Sequence, residues 1–144
     1  MKKTLSVILA VCSLCLLGSA GMPNRAEAAW VFIDKTGRQA IPAVYEDVVS
    51  FDEGLGQVKI NGKWGYVDKT GRLVIPAEHE DVRGFSEGLG RVKINGKWGY
   101  IDKTGSLVIP AAYEDACDFR EGLASVEING KWGYIDKTGS LVIP

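Results

Sequence analysis

The chain has 144 residues, a formal net charge of −1, 18 glycines, four tryptophans and five tyrosines. That length fits one domain, and abundant glycine without a one-in-three period excludes collagen and points to many tight turns. No concentrated block of Lys and Arg is present, so a nucleic-acid partner is excluded as an expectation and a charge-driven anionic membrane surface is disfavoured.

The N-terminus reads as a secretory signal peptide over residues 1–28. Met1-Lys2-Lys3 is positive, Leu5 to Leu17 is almost wholly apolar and uncharged, and small residues follow at Gly18, Ser19 and Ala20. Ala26-Glu27-Ala28 offers a cleavage pattern. Cleavage after Ala28 is favoured, with Ala20 as the second candidate. The apolar run is short of the roughly 20 residues that span a bilayer, so no stable transmembrane segment is expected after cleavage. Neither Cys12 nor Cys15 follows the small residue of a lipoprotein signal. Loss of Lys2, Lys3, Arg25 and Glu27 moves the net charge from −1 to −3. Cys117 is then the one remaining cysteine, and no internal disulfide can form. A secreted, periplasmic or cell-surface location follows.

Residues 29–144 form the repeat domain. Trp30, Trp64, Trp98 and Trp132 recur every 34 residues, as do Asp34, Asp68, Asp102 and Asp136 and Pro42, Pro76, Pro110 and Pro144. The units are 30–63, 64–97 and 98–131, with a partial unit 132–144; units two and three agree at 23 of 34 positions. Interior glycines and short Val-, Ile-, Tyr- and Trp-rich runs argue against paired helices and for strands. Arg91-Val92-Lys93-Ile94 alternates as a half-buried strand, Asn95-Gly96 predicts a hairpin turn, and Lys97–Asp102 is the next strand. Asp102 is expected to accept a backbone N–H in the following turn, with Gly105 left-handed. Leu107-Val108-Ile109 is a third strand, which Pro110 is expected to stop. Residues 111–119 are expected to form a short fourth strand or an irregular stretch anchored by Tyr113 and Phe119, a single helical turn being the alternative.

The fold class is therefore all-β: tandem 34-residue repeats forming antiparallel three-to-four-stranded meanders in an open stacked array, each unit covering the next. The expected core around unit three is Trp98, Tyr100, Ile101, Val92, Ile94, Val108, Ile109 and Phe119. A closed propeller is disfavoured, because its blades run to about 40–45 residues. The terminal hairpin is either a cap or the edge of a longer array.

The recurring Asn-Gly-Lys-Trp-Gly-Tyr-Ile-Asp-Lys-Thr-Gly-Ser-Leu-Val-Ile-Pro of 95–110, with Tyr-Glu-Asp and Phe in 113–119 and Glu-Gly-Leu in 121–123, resembles the WG-repeat (KWG-repeat) family. The resemblance spans residues 30–144. Unit one departs from it at Trp30-Val31, and unit two at His79, where Tyr45 and Tyr113 stand in its neighbours. The resemblance implies a bacterial, β-rich, often exported protein and brings no catalytic residues with it.

Chemistry-bearing constellations are sparse. His79 is the single histidine; Glu78, Glu80 and Asp81 flank it, but alternate strand side chains point to opposite faces and cannot converge on one ion. Cys117 and His79 lack the orienting group of a nucleophilic triad. Asp68, Asp102 and Asp136, and Glu53, Glu87 and Glu121, recur at turns and read as turn residues rather than paired catalytic acids. No catalytic residue, metal site or cofactor is expected. Trp64, Tyr66, Trp98, Tyr100, Trp132 and Tyr134 are the candidate ligand-contacting residues: they form a repeated aromatic face, which is core if buried and a platform for sugar rings or peptide side chains if exposed. The leading expectation is a non-enzymatic binding or adhesion module of the cell envelope or extracellular space, with a protein or a cell-envelope glycan such as peptidoglycan as partner. The alternatives are a structural protein–protein scaffold and an envelope glycan hydrolase.

Overall fold

The computed structural model describes residues 6–8, 30–33 and 35–144. The expected leader lies outside them except for Ser6–Ile8, which forms strand β1 against β2 (Trp30–Ile33), itself paired with β3 (Gln39–Tyr45). Three four-stranded antiparallel meanders follow. The first is β4 (Asp47–Asp52), β5 (Leu55–Ile60), β6 (Lys63–Val67) and β7 (Leu73–His79). The second is β8 (Asp81–Ser86), β9 (Leu89–Ile94), β10 (Lys97–Ile101) and β11 (Leu107–Tyr113). The third is β12 (Asp115–Ala116), β13 (Leu123–Ile128), β14 (Lys131–Asp136) and β15 (Leu141–Ile143). The result is an all-β, open array of stacked repeats, with each sheet beginning at the Glu-Asp pair rather than at the repeated tryptophan.

The hairpins form where both turn residues accept positive φ. Asn95 and Gly96 lie at φ 50° and 76°, between Ile94 and Lys97, which pair directly. Glu87-Gly88 makes the same turn at 52° and 85°. Here the unexpected residue is Glu, which the left-handed region disfavours.

The strand after the Lys-Thr-Gly turn does not stop at proline. β11 continues through Pro110 to Tyr113 because a bulge absorbs the proline: Trp98 pairs with Tyr113 and Tyr100 with Ile109, so three residues face Gly99 alone. Pro110 lies on an edge strand, where its missing N–H breaks no ladder. The bulged backbone lies over Gly99. A Cβ there would stand 2.7 Å from the Ala111 nitrogen and the Ile109 oxygen, and Gly65 meets Ile75 and Ala77 in the same way. The glycine after Trp64 and after Trp98 is therefore a steric requirement of the bulge.

The expected fourth strand of the repeat opens each sheet as β4, β8 or β12; it is six residues long in the first two sheets and two in the third. In the first two, Phe51 and Phe85 pair with Gly56 and Gly90, and their rings pass 2.8 Å from where a Cβ would be. Ala124 replaces that glycine in the third sheet, where the regular strand ends at Ala116 and pairing resumes only as a single bridge between Arg120 and Leu123. Phe119 nevertheless remains fully buried.

The sheets are joined through tyrosine. Tyr66 is fully buried, its ring meets Phe85 of the next sheet edge-on at 5.1 Å, and its hydroxyl donates to the Arg83 carbonyl at 2.7 Å. Tyr100 repeats this with Phe119 at 4.9 Å and the Cys117 carbonyl at 2.8 Å. Burial raises both phenol pKa values above 10. Of the expected core, Trp98, Tyr100, Ile101, Val92, Ile109 and Phe119 are buried and Ile94 packs at its margin. Val108 is the exception, 42% exposed, because it alternates with Ile109 on an edge strand.

Two substitutions test these contacts. Gly99→Ala should lose at least about 3 kcal/mol in chemical denaturation, the upper range for overpacking, since rigid backbone rather than a side chain must move. Tyr100→Phe should cost about 1–2 kcal/mol by removing the part-buried hydrogen bond to the Cys117 carbonyl. Tyr134→Phe, at a ring 45% exposed, should leave the midpoint unchanged.

Candidate binding groove

The repeated polar residues are engaged in holding the backbone. Asp68, Asp102 and Asp136 each accept three hydrogen bonds at Oδ1; for Asp102 these come from Thr104 N (2.9 Å), Thr104 Oγ1 (2.6 Å) and Ser106 N (3.0 Å). The threonine hydroxyl, followed by backbone N–H donors, holds all three carboxyls below the usual aspartate value of 3.8. Glu80 accepts from Asn95 N and Gly96 N in the Asn-Gly turn, and Glu46 and Glu114 do the same for Gly62 and Gly130. Glu53 accepts from Gly88 N (2.9 Å) and Glu87 from Gly122 N (3.0 Å), so each strained Glu-Gly turn is fastened to the next. Lys103 and Lys137 complete this ladder with ion pairs to Glu53 and Glu87 at 3.3 and 3.1 Å. The inter-unit bond compensates for placing Glu in the left-handed region.

The six candidate aromatics separate by burial. Tyr66 and Tyr100 are core, with hydroxyls bonded as above. Trp98 is 6% exposed and covered by cations: Arg83, Arg91 and Lys93 lie 5.3, 5.8 and 5.7 Å from its ring centroid. Trp64 is half-buried, with Lys59 at 5.8 Å. Trp132 and Tyr134 are 50% and 45% exposed, and together with Leu141, Val142 and Ile143 they make one apolar end of the array. The open aromatic surface is thus local, at this end.

His79 occupies the position of Tyr45 and Tyr113, opposite Trp64 in β6. Only 7% of it is exposed, and its Nε2 has no hydrogen-bond partner. Burial lowers its pKa below 6.5, against a smaller opposing effect of Glu78.

A groove runs between the sheets. Its first recess, about 360 Å³, has Val49, Ser50, Asp52 and Gln57 on one side and Arg83, Gly84, Phe85 and Ser86 on the other, with Arg91 and Asp118 at its end. The second, about 590 Å³, begins at that same Arg91 and Asp118 and continues past Cys117, Arg120, Ser125 and Glu121 to Leu123 and Tyr134. Arg91 Nε bonds Asp118 Oδ1 at 2.9 Å and its Nη1 donates to the Ala116 carbonyl, which ties the second sheet to the third at the junction. Gly84 makes room for Asp52: a Cβ there would stand 2.1 Å from the carboxylate. Ser50 and Gln57 each donate to Asp52 at 3.4 Å. Burial raises the Asp52 pKa, the Ser50 hydrogen bond partly offsets this, and the Asp118 and Glu53 charges add to the rise.

Of the groove's charged residues, Asp52, Arg83, Arg91, Asp118 and Arg120 were not among the sequence candidates, and Glu121 was read as a turn residue. Repetition drew attention to the tryptophans and tyrosines, whereas the groove is walled largely by side chains that do not repeat. Among the described residues no cluster of three His, Cys, Asp or Glu side chains is placed to hold a metal ion, and no helix is long and apolar enough to cross a membrane.

Stacked four-stranded meanders with recesses between neighbouring sheets define a β-repeat array. The family described as WG containing repeat matches residues 30–64, 64–98, 98–132 and 132–144, and the chain belongs to it. Comparison with curated proteins and with solved structures gives no match.

His79→Tyr should stabilise the protein by about 1–3 kcal/mol, the cost of one unpaired buried polar group. Because the folded state lowers the histidine pKa, the neutral ring's stability is present above pH 6.5 and is lost as pH falls from there through the folded-state pKa. The melting-temperature gap between H79Y and the parent should therefore widen from pH 7.5 to 5.

Proposed function

We propose that this chain is a non-enzymatic binding module, exported to the cell envelope or the exterior, whose ligand lies in the groove. The observation that carries the reading is that the two recesses adjoin at Arg91 and Asp118, which line both, so that together they run past all three complete sheets. The constant polar residues are occupied by turns, so the groove holds the side chains left for recognition. The leader-like N-terminus supports export. The exposed Tyr134 lines the second recess at one end with a ring that can stack on a sugar or a side chain.

Glycan hydrolysis is a second reading favoured by one arrangement: Asp52 and Asp118 share a recess in different surroundings, one raised by burial and one ion-paired to Arg91. Both carboxylates accept hydrogen bonds from protein donors, which suits holding a ligand better than proton transfer.

Cys117 is exposed and lines the second recess, so it reports on occupancy. With Cys12 and Cys15 replaced by serine, the rate of Cys117 modification by a maleimide should fall several-fold on adding the bound class from a set of peptidoglycan fragments, envelope glycans and peptide mixtures. A rate unchanged by every class would remove the groove as a binding site. Release of reducing ends from peptidoglycan would move the choice to hydrolysis.

A further inference from the structure

The three complete units are one sequence with local substitutions, and the substitutions have an address. Only five of the 34 positions carry three different residues in the three units. One is Val44, Glu78 and Ala112. The other four coincide with the groove. Val49, Arg83 and Cys117 share one position, and Ser50, Gly84 and Asp118 the next. Asp52, Ser86 and Arg120 share the third, and Gln57, Arg91 and Ser125 the fourth. All of these side chains, and Gly84, line one recess or the other.

Exposure does not explain the pattern. Lys63, Lys97 and Lys131 are constant and lie at the surface or near it, whereas Gln57 is 3% exposed and varies. Backbone demands do not explain it either, since β5, β9 and β13 form alike around Gln57, Arg91 and Ser125, and β4 and β8 form alike around Val49 and Arg83, Ser50 and Gly84, and Asp52 and Ser86. In a stacked array each unit presents the same slot to a ligand extended along it, so slots that differ give each unit its own preference.

We propose that these four positions are the specificity-determining residues of the groove and that the ligand is an extended polypeptide segment, read unit by unit. This rests on the groove being the binding site. Charge chooses polypeptide over glycan. Asp52 at one end and Arg120 at the other form no ion pair with any described residue, and Arg83 between them uses only Nη1, toward Asp81 and the Val82 carbonyl. Asp52 and Arg120 call for a basic side chain at one end of the ligand and an acidic one at the other, with Arg83 adding a second preference for a carboxylate. Ser125 has no side-chain partner among the described residues, and Ser50 and Ser86, whose hydroxyls donate to Asp52 and to the Phe119 carbonyl, keep acceptor lone pairs for a peptide backbone, while Gln57, 3% exposed, donates to Asp52 and orients it. An aromatic platform for sugars is missing along the middle of the groove, where Phe85 is buried; Tyr134 offers a ring at one end only.

The test is selection of twelve-residue peptides from a display library by the full chain, alongside a glycan array. Selected peptides should carry a base and an acid in fixed order. Asp52→Arg combined with Arg120→Asp should weaken a parent-selected peptide by at least about tenfold and favour the peptide with those charges exchanged. Asp52→Asn, which keeps the side-chain shape beside Gly84, should by itself relax the preference for a base. Lys97→Glu, outside the groove, should leave selection unchanged. Failure of any peptide to enrich, or enrichment indifferent to D52N and the exchange, would overturn the proposal. Glycan binding that protects Cys117 while peptides do not would overturn it and leave the groove as a binding site.

Discussion

The array depends on a tyrosine that belongs to one sheet and is satisfied by the next. A single four-stranded meander has an apolar face it cannot cover alone. Tyr66 and Tyr100 resolve this by lying under the following sheet, each with its ring against that sheet's phenylalanine and its hydroxyl on a backbone carbonyl. The ring contributes the area and the hydroxyl fixes the position, since a buried phenol lacking a hydrogen-bond partner is costly. Neighbouring sheets are thereby held in a repeatable geometry, and the Glu-Gly turns at their margin continue it through bonds from Glu53 to Gly88 and from Glu87 to Gly122.

That constraint explains why so much of the repeat is fixed. The glycine after the tryptophan lies under a bulged strand, the asparagine and both turn glycines take positive φ, and each recurrent acid accepts from turn amides. Such positions are determined by backbone geometry and hydrogen-bond satisfaction, so one residue type serves in every unit. Their recurrence is therefore no guide to ligand contact.

This is why the fold was legible in the sequence and the groove was not. The Asn-Gly hairpins, the Asp-Lys-Thr-Gly turns and the alternating Val-Lys-Ile strands have local causes, and period, strand order and array follow from them. The strand through Pro110 was missed because the bulge that tolerates it forms between β10 and β11, which no local rule describes. The role of Glu53 and Glu87 extended beyond a turn because their partners lie 35 residues away. The tryptophan face was read as one repeated surface, yet Trp98 is covered and Trp132 is open. The difference comes from the residues around each indole and not from the indole. Candidate recognition residues such as Asp52, Arg83 and Arg120 leave no motif, since their property is to differ between otherwise matching units.

The coverage of tryptophan links the two halves of this design. Arg83 and Arg91 stand at positions that vary, and they are the guanidiniums stacked on Trp98. At the same two positions the first unit has Val49 and Gln57, and the third has Cys117 and Ser125, with correspondingly different cover over Trp64 and Trp132. A substitution there changes the groove wall and, at the same time, the shielding of a core ring. Groove chemistry in this array is therefore coupled to the stability of the sheet that presents it. Replacing both arginines would be expected to alter packing as well as charge, whereas Arg120, which covers no ring among the described contacts, and the isosteric Asp52→Asn, which keeps the fit beside Gly84, change the charge of the groove with the least disturbance of packing.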